Sequence, residues 1–142
     1  MKFFASPWLV LTCLLVAQGA VAEGVYDEKQ GSSYNHAAPD EMMRLPKYCW
    51  GHYNARFKAP KFNISKSSCG PMMNHFCPGI LRFNRSQNPL ASPNERRMYL
   101  AQSIRNFDYT MNGMKKFPAC YIRKHVAIMQ RRARTASSMA IR

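Results

Sequence analysis

Nine consecutive residues, Cys69-Gly70-Pro71-Met72-Met73-Asn74-His75-Phe76-Cys77, gather two thiols, two thioethers and an imidazole. Sulfur ligands select Cu(I), so this cluster could hold a copper ion. Against that, Met72 and Met73 are neighbours that face opposite ways in an extended loop, and thiols of an exported chain are oxidised. The histidines, His36, His52, His75 and His125, offer a second chemistry. Two imidazoles converging on a phosphate would supply the acid and base of a ribonuclease-like hydrolase. No local pattern pairs them, and His52-Tyr53-Asn54 with Asn74-His75 fits the spacing of a His-Asn-His nuclease poorly. The chain has no G-x-S-x-G elbow, no H-E-x-x-H helix and no C-x-x-C pair. These residues specify no catalytic centre, no metal site and no cofactor. A binding protein is the first expectation, a secreted hydrolase on RNA or another polyanion the second, and a copper-handling protein the third.

The elements that would position any site begin behind a leader. Met1-Lys2 is a short positive start, residues 8–17 are apolar, and Ala20-Val21-Ala22 reads as a cleavage site. That order describes a secretory signal peptide over residues 1–22, because the apolar stretch is too short to cross a bilayer. No later run is apolar enough to cross one either. The expected location is the periplasm or the exterior of the cell. Asn63-Ile64-Ser65 and Asn84-Arg85-Ser86 match glycosylation sequons, which bear on the protein only in a eukaryotic source.

Charge divides the remainder. The chain of 142 residues carries 21 Lys and Arg against 7 Asp and Glu, a formal net charge of +14. Five of the acids, Glu23, Asp27, Glu28, Asp40 and Glu41, fall in residues 23–47, against only Lys29, Arg44 and Lys47. With its Gly, Ser, Asn and Pro content this segment reads as a flexible acidic arm. From Tyr48 onward 17 bases face only Glu95 and Asp108. Residues 48–134 are therefore expected to form a strongly basic domain, and 135–142 a frayed tail with little to bury. Outside a cell the anionic partners of such a domain are lipid head groups, acidic polysaccharide or an acidic protein face, with nucleic acid less natural. A hydrophobic content of 46% excludes intrinsic disorder, and the absence of a Gly period excludes collagen.

The expected fold is mainly α: a small, disulfide-stapled antiparallel array of about three helices behind an irregular N-terminal segment. In that segment Trp50, Phe57 and Phe62 interleave with Arg56, Lys58 and Lys61. Such a pattern could stack on a nucleic acid strand, but more often the rings pack and the ammonium groups stay in water. The first helix is expected from Pro78 to Asn88, with Ile80, Leu81 and Phe83 on its apolar side. Ser92-Pro93-Asn94-Glu95 is a capping box, and behind it Leu100, Ile104, Phe107, Met111 and Met114 recur at alternating four- and three-residue steps, a buried stripe of a helix reaching about Lys116. Phe117-Pro118 breaks it. A third helix follows, with Ile122, Val126 and Met129 on one stripe.

Cys49, Cys69, Cys77 and Cys120 survive cleavage, an even number that reads as two disulfides. Four cysteines allow three pairings. Cys77 and Cys120 lie near the starts of alternate helices, which an array places at one end. Cys77–Cys120 is the preferred bridge on that ground, leaving Cys49–Cys69 for the irregular segment.

Ser103-Ile104, Phe107 and Thr110-Met111, with Pro118 behind them, resemble the small, aromatic and closing-proline positions of a tetratricopeptide-type repeat over about residues 76–134. That resemblance implies stacked helical hairpins and a protein-binding role, and no catalytic residues. The last helix carries Arg123, Lys124, Arg131, Arg132 and Arg134 with no acid after Asp108. These five residues are the expected contact surface for an anionic partner.

Overall fold

The computed structural model describes residues 36–140; the leader, most of the acidic arm and the last two residues lie outside them. Six α-helices follow one another: α1 (Pro39–Met43), α2 (Trp50–Tyr53), α3 (Lys66–Cys69), α4 (Phe76–Ser86), α5 (Pro93–Gly113) and α6 (Arg123–Ala140), with single 3-10 turns between several of them. There is no strand among the described residues. The last three helices form the antiparallel array, with α5 packed on both α4 and α6.

The start of α5 follows from its sequence. Ser92 Oγ accepts from the Glu95 amide at 3.2 Å while Glu95 accepts from the Ser92 amide at 2.9 Å, so two orphan donors are satisfied together. The helix ends at Gly113 and tightens into a 3-10 turn over Met114–Lys116. In α4, Pro78 stands within the first turn rather than at the first position, because the helix grows out of a 3-10 turn over Pro71–His75. A proline is tolerated there since the first amides of a helix have no intrahelical acceptor.

Phe76, Leu81, Phe107, Met114 and Val126 are almost fully buried and centre the core. Of the expected α5 stripe, Leu100, Phe107 and Met114 are buried, while Ile104 and Met111 pack against the core half-exposed. The pattern misses a second buried face, made of Ser103, Asn106 and Thr110. The two hydroxyls donate back to the carbonyls of Leu100 and Asn106, at 2.7 and 2.8 Å, so their burial leaves no orphan donor. On α4, a methyl group added at Gly79 would meet the Phe107 ring at 2.6 Å and Asn106 Cβ at 3.2 Å. Only a residue without a side chain lets the two backbones approach so closely.

The structure corrects three expectations. Residues 36–47 are not part of a loose arm: Ala37 and Leu45 are buried, and Glu41 accepts from Arg85 of α4 through both oxygens, at 2.7 and 2.9 Å. Residues 135–140 continue α6 instead of fraying, with Ala136 packed against the core. The disulfides join Cys49 to Cys77 and Cys69 to Cys120, with Cα separations of 5.5 and 4.7 Å. Cys77 and Cys120 do lie near the starts of alternate helices, but each pairs with a cysteine of the irregular segment instead. Gly70, at φ 88°, turns the chain beside Phe117 and so brings Cys69 to Cys120. Both bridges therefore fasten the N-terminal segment to the array, and neither is internal to either part.

Candidate anion-binding face

The aromatic segment packs on itself. Trp50 stacks on Phe62 with ring centroids 5.7 Å apart, and Phe57 meets both rings edge-on. Lys61 Nζ lies 5.0 Å from the Phe62 centroid, and Lys58 and Lys61 are exposed. In the same segment Asn63 donates its side-chain amide to the carbonyls of Phe57 and Ala59, which commits the sequon nitrogen to the loop. Asn84 lies inside α4, where the sequon's Ser86 is buried.

The 69–77 cluster is drawn apart. Both sulfurs of Cys69 and Cys77 are in disulfides, and Met73 is buried. A side chain at Gly113 would collide with Met72, which marks where that thioether packs. His75 lies against Tyr109, ring centroids 4.3 Å apart, with Nδ1 3.3 Å from Asn106 Oδ1. No group of three metal-ligating His, Cys, Asp or Glu occurs among the described residues. Of the other histidines, His52 lines a cleft of about 260 Å³ with Lys66 and Asn74, where burial first and the His75 charge second lower its pKa, His125 bonds Tyr48, and the His36 carbonyl accepts from Arg85 at 3.0 Å.

The basic helix has a defined footing. Val126, Met129 and Ala133 recur at three and four residues and are buried, so one stripe of α6 is held against α5. The connection before α6 is held by the Cys69–Cys120 bridge. The Tyr48 hydroxyl hydrogen-bonds Nδ1 of His125, tying the helix to the N-terminal segment as well. Burial, with the nearby Arg132 charge adding to it, holds the His125 imidazole below its ordinary pKa. Burial likewise raises the Tyr48 phenol, with Tyr121 adding to it, so the phenol keeps its proton at neutral pH.

The five expected binding residues fall into two groups. Arg123 donates to the Met114 carbonyl at 2.9 Å, beside the bond that this carbonyl accepts from the Phe117 amide in the turn after α5. Arg134 pairs with Asp108 at 2.8 Å, and Gln130 donates to the same carboxylate at 2.6 Å. Lys124, Arg131 and Arg132 are exposed, and among the described residues no carboxylate lies within ion-pair distance of them. Sequence reasoning missed the apolar residues that accompany them: Tyr121 is 61% exposed, Ile128 48% and Met139 64%. Lys124, Ile128 and Arg131 follow at four and three residues, as do Ile128, Arg132, Thr135 and Met139 at four, three and four, so these residues share the outer side of one helix. The signal was present in the spacing, since Ile128 falls off the stripe that Ile122, Val126, Met129 and Ala133 define.

At the far end of the array, the last turns of α6 meet the first turns of α5 and the end of α4. A groove of about 420 Å³ opens there, lined by Arg96, Arg97, Leu100, Ala136 and Met139 among others. Arg96 is anchored by donating to the Ser86 carbonyl at 3.2 Å. Met139 belongs both to this groove and to the outer side of α6, so the two basic areas are continuous.

Comparison with protein-family models, with curated proteins and with solved structures finds no match for this chain. The geometry alone carries the functional argument. Two disulfides suit folding in an oxidising compartment, and no described helix is long and apolar enough to cross a membrane.

Proposed function

We propose that this chain is an exported binding protein, acting in the periplasm or outside the cell, that docks on an anionic partner through the outer side of α6 and catalyses no reaction. The observation that carries this reading is the set of exposed cations at Lys124, Arg131 and Arg132, which have no carboxylate partner among the described residues. Three of the four described acids are already committed: Glu41 to Arg85, Glu95 to the cap of α5, and Asp108 to Gln130 and Arg134. Like charges at close spacing along one helix oppose folding, and an anionic surface relieves that repulsion. Arginine adds a planar fork that grips carboxylate or phosphate.

The test is capture of envelope components by the immobilised protein as salt rises. The Lys124→Gln, Arg131→Gln, Arg132→Gln variant should keep the helical spectrum of the parent and lose salt-sensitive capture. Capture unchanged in that variant, or indifferent to salt, would move the binding surface to the aromatic segment around Trp50.

A further inference from the structure

Resting on that reading, we infer that the anionic partner is a phospholipid surface, on which α6 lies flat with Ile128 and Met139 entering the head-group layer. An acidic protein face would satisfy the cations, but it would also call for a contiguous, centrally buried apolar patch, since binding energy at protein interfaces concentrates in packed, desolvated clusters. The exposed apolar residues of α6 are arranged otherwise. Ile128 and Met139 stand eleven residues apart along the helix, with Arg132 and Thr135 between them and Arg131 beside them. At about 1.5 Å per residue they are separated by roughly 16 Å. A head-group layer accepts isolated apolar side chains between phosphates, each with a cation close by, and this alternation is the pattern of a helix lying in the interface plane. Tyr121, exposed in the turn before α6, belongs to a residue type that settles at the head-group level.

The groove extends the same chemistry. Arg96 and Arg97 line it together with Leu100, Ala136 and Met139. Two guanidinium groups beside apolar side chains suit one phosphate with the upper part of its acyl chain. Arg97 donates to the neutral Asn94 side chain, so its charge is not cancelled there.

The experiment is co-sedimentation of the mature chain with vesicles of equal parts phosphatidylglycerol and phosphatidylcholine, beside vesicles of phosphatidylcholine alone, with retention on polyglutamate resin measured in parallel. The anionic vesicles should carry the protein down and the neutral ones should not. Replacing Lys124, Arg131 and Arg132 by Gln should weaken partitioning about 100-fold, the product of the roughly fivefold that each cation adds near an anionic bilayer. Replacing Ile128 and Met139 by Ser should weaken partitioning at least several-fold while leaving retention on polyglutamate unchanged. Salt-sensitive retention on the resin without sedimentation would overturn the lipid assignment and leave the anionic docking face standing. Equal sedimentation of the Ile128→Ser, Met139→Ser variant would overturn insertion. Failure of both vesicles and resin would overturn the docking face itself.

Discussion

The phenol oxygen of Tyr48 and Nδ1 of His125, seventy-seven residues apart in sequence, are hydrogen-bonded to each other. The pair joins the N-terminal segment to the helix that carries the proposed binding face. Because burial lowers the pKa of His125, the native state favours neutral imidazole. The resulting stability is whole above the ordinary value of 6.5 and is lost as pH falls through the folded value. Denaturant midpoints measured across that range should fall with pH in the parent and fall less in His125→Gln. Tyr48→Phe should cost about 1 kcal/mol at neutral pH. Equal slopes in parent and His125→Gln would show that the imidazole does not titrate between the two states.

Glu41 and Arg85 define a second acid step. Burial alone would raise the Glu41 pKa, but the hydrogen bonds from Arg85 and from the Ala38 amide outweigh it and hold the carboxyl below its usual range. The contribution is present above the ordinary value of 4.5 and is lost as pH falls through the folded value. Glu41→Gln should remove this step and destabilise the protein by about 1–3 kcal/mol at neutral pH, as loss of a charged hydrogen bond does. Thermal midpoints at neutral pH and at about pH 3 would check both.

The contact between Gly79 and Phe107 should be intolerant in both directions. Phe107→Ala leaves a cavity and should cost about 3–5 kcal/mol. Gly79→Ala adds a methyl group 2.6 Å from a fully buried ring and should cost about 1–3 kcal/mol despite the better helix propensity of alanine. Urea titration of each variant gives the answer, and a more stable Gly79→Ala would mean that α4 and α5 can separate cheaply.

Unreduced peptide maps should contain Cys49 linked to Cys77 and Cys69 linked to Cys120. Replacing either pair by serine should cost about 2–5 kcal/mol, with the wider loop of the second pair giving it the larger chain-entropy share. A peptide joining Cys77 to Cys120 would contradict the arrangement.

The legible parts of this fold were those set by neighbours in sequence. The α5 cap needs only Ser92, Pro93 and Glu95, and the buried stripe of α6 needs only a helical period. Illegible parts depended on distant partners. Glu41 reads as one more acid of a loose segment until Arg85, forty-four residues on, is placed beside it. The disulfide pairing depended on where an irregular segment lies, which no period encodes. The second buried face of α5 is polar, so hydrophobic spacing could not find Ser103, Asn106 and Thr110. At the candidate site, the count of cations was visible, but not that Arg123 and Arg134 are occupied by Met114 and Asp108. Those contacts cross between helices.

Both covalent links sit where α4 and α6 begin and α5 ends, and among the described residues neither reaches the opposite end, where the groove lies. The array is therefore riveted on one side like a pair of tongs. Opening events that spread the free helix ends break no covalent link, whereas spreading at the rivets is barred. Amide hydrogens around Ser86, Arg97 and Ala136 should exchange with solvent sooner than those around Cys77 and Cys120. The groove thus lies in the part of the molecule that neither disulfide holds together.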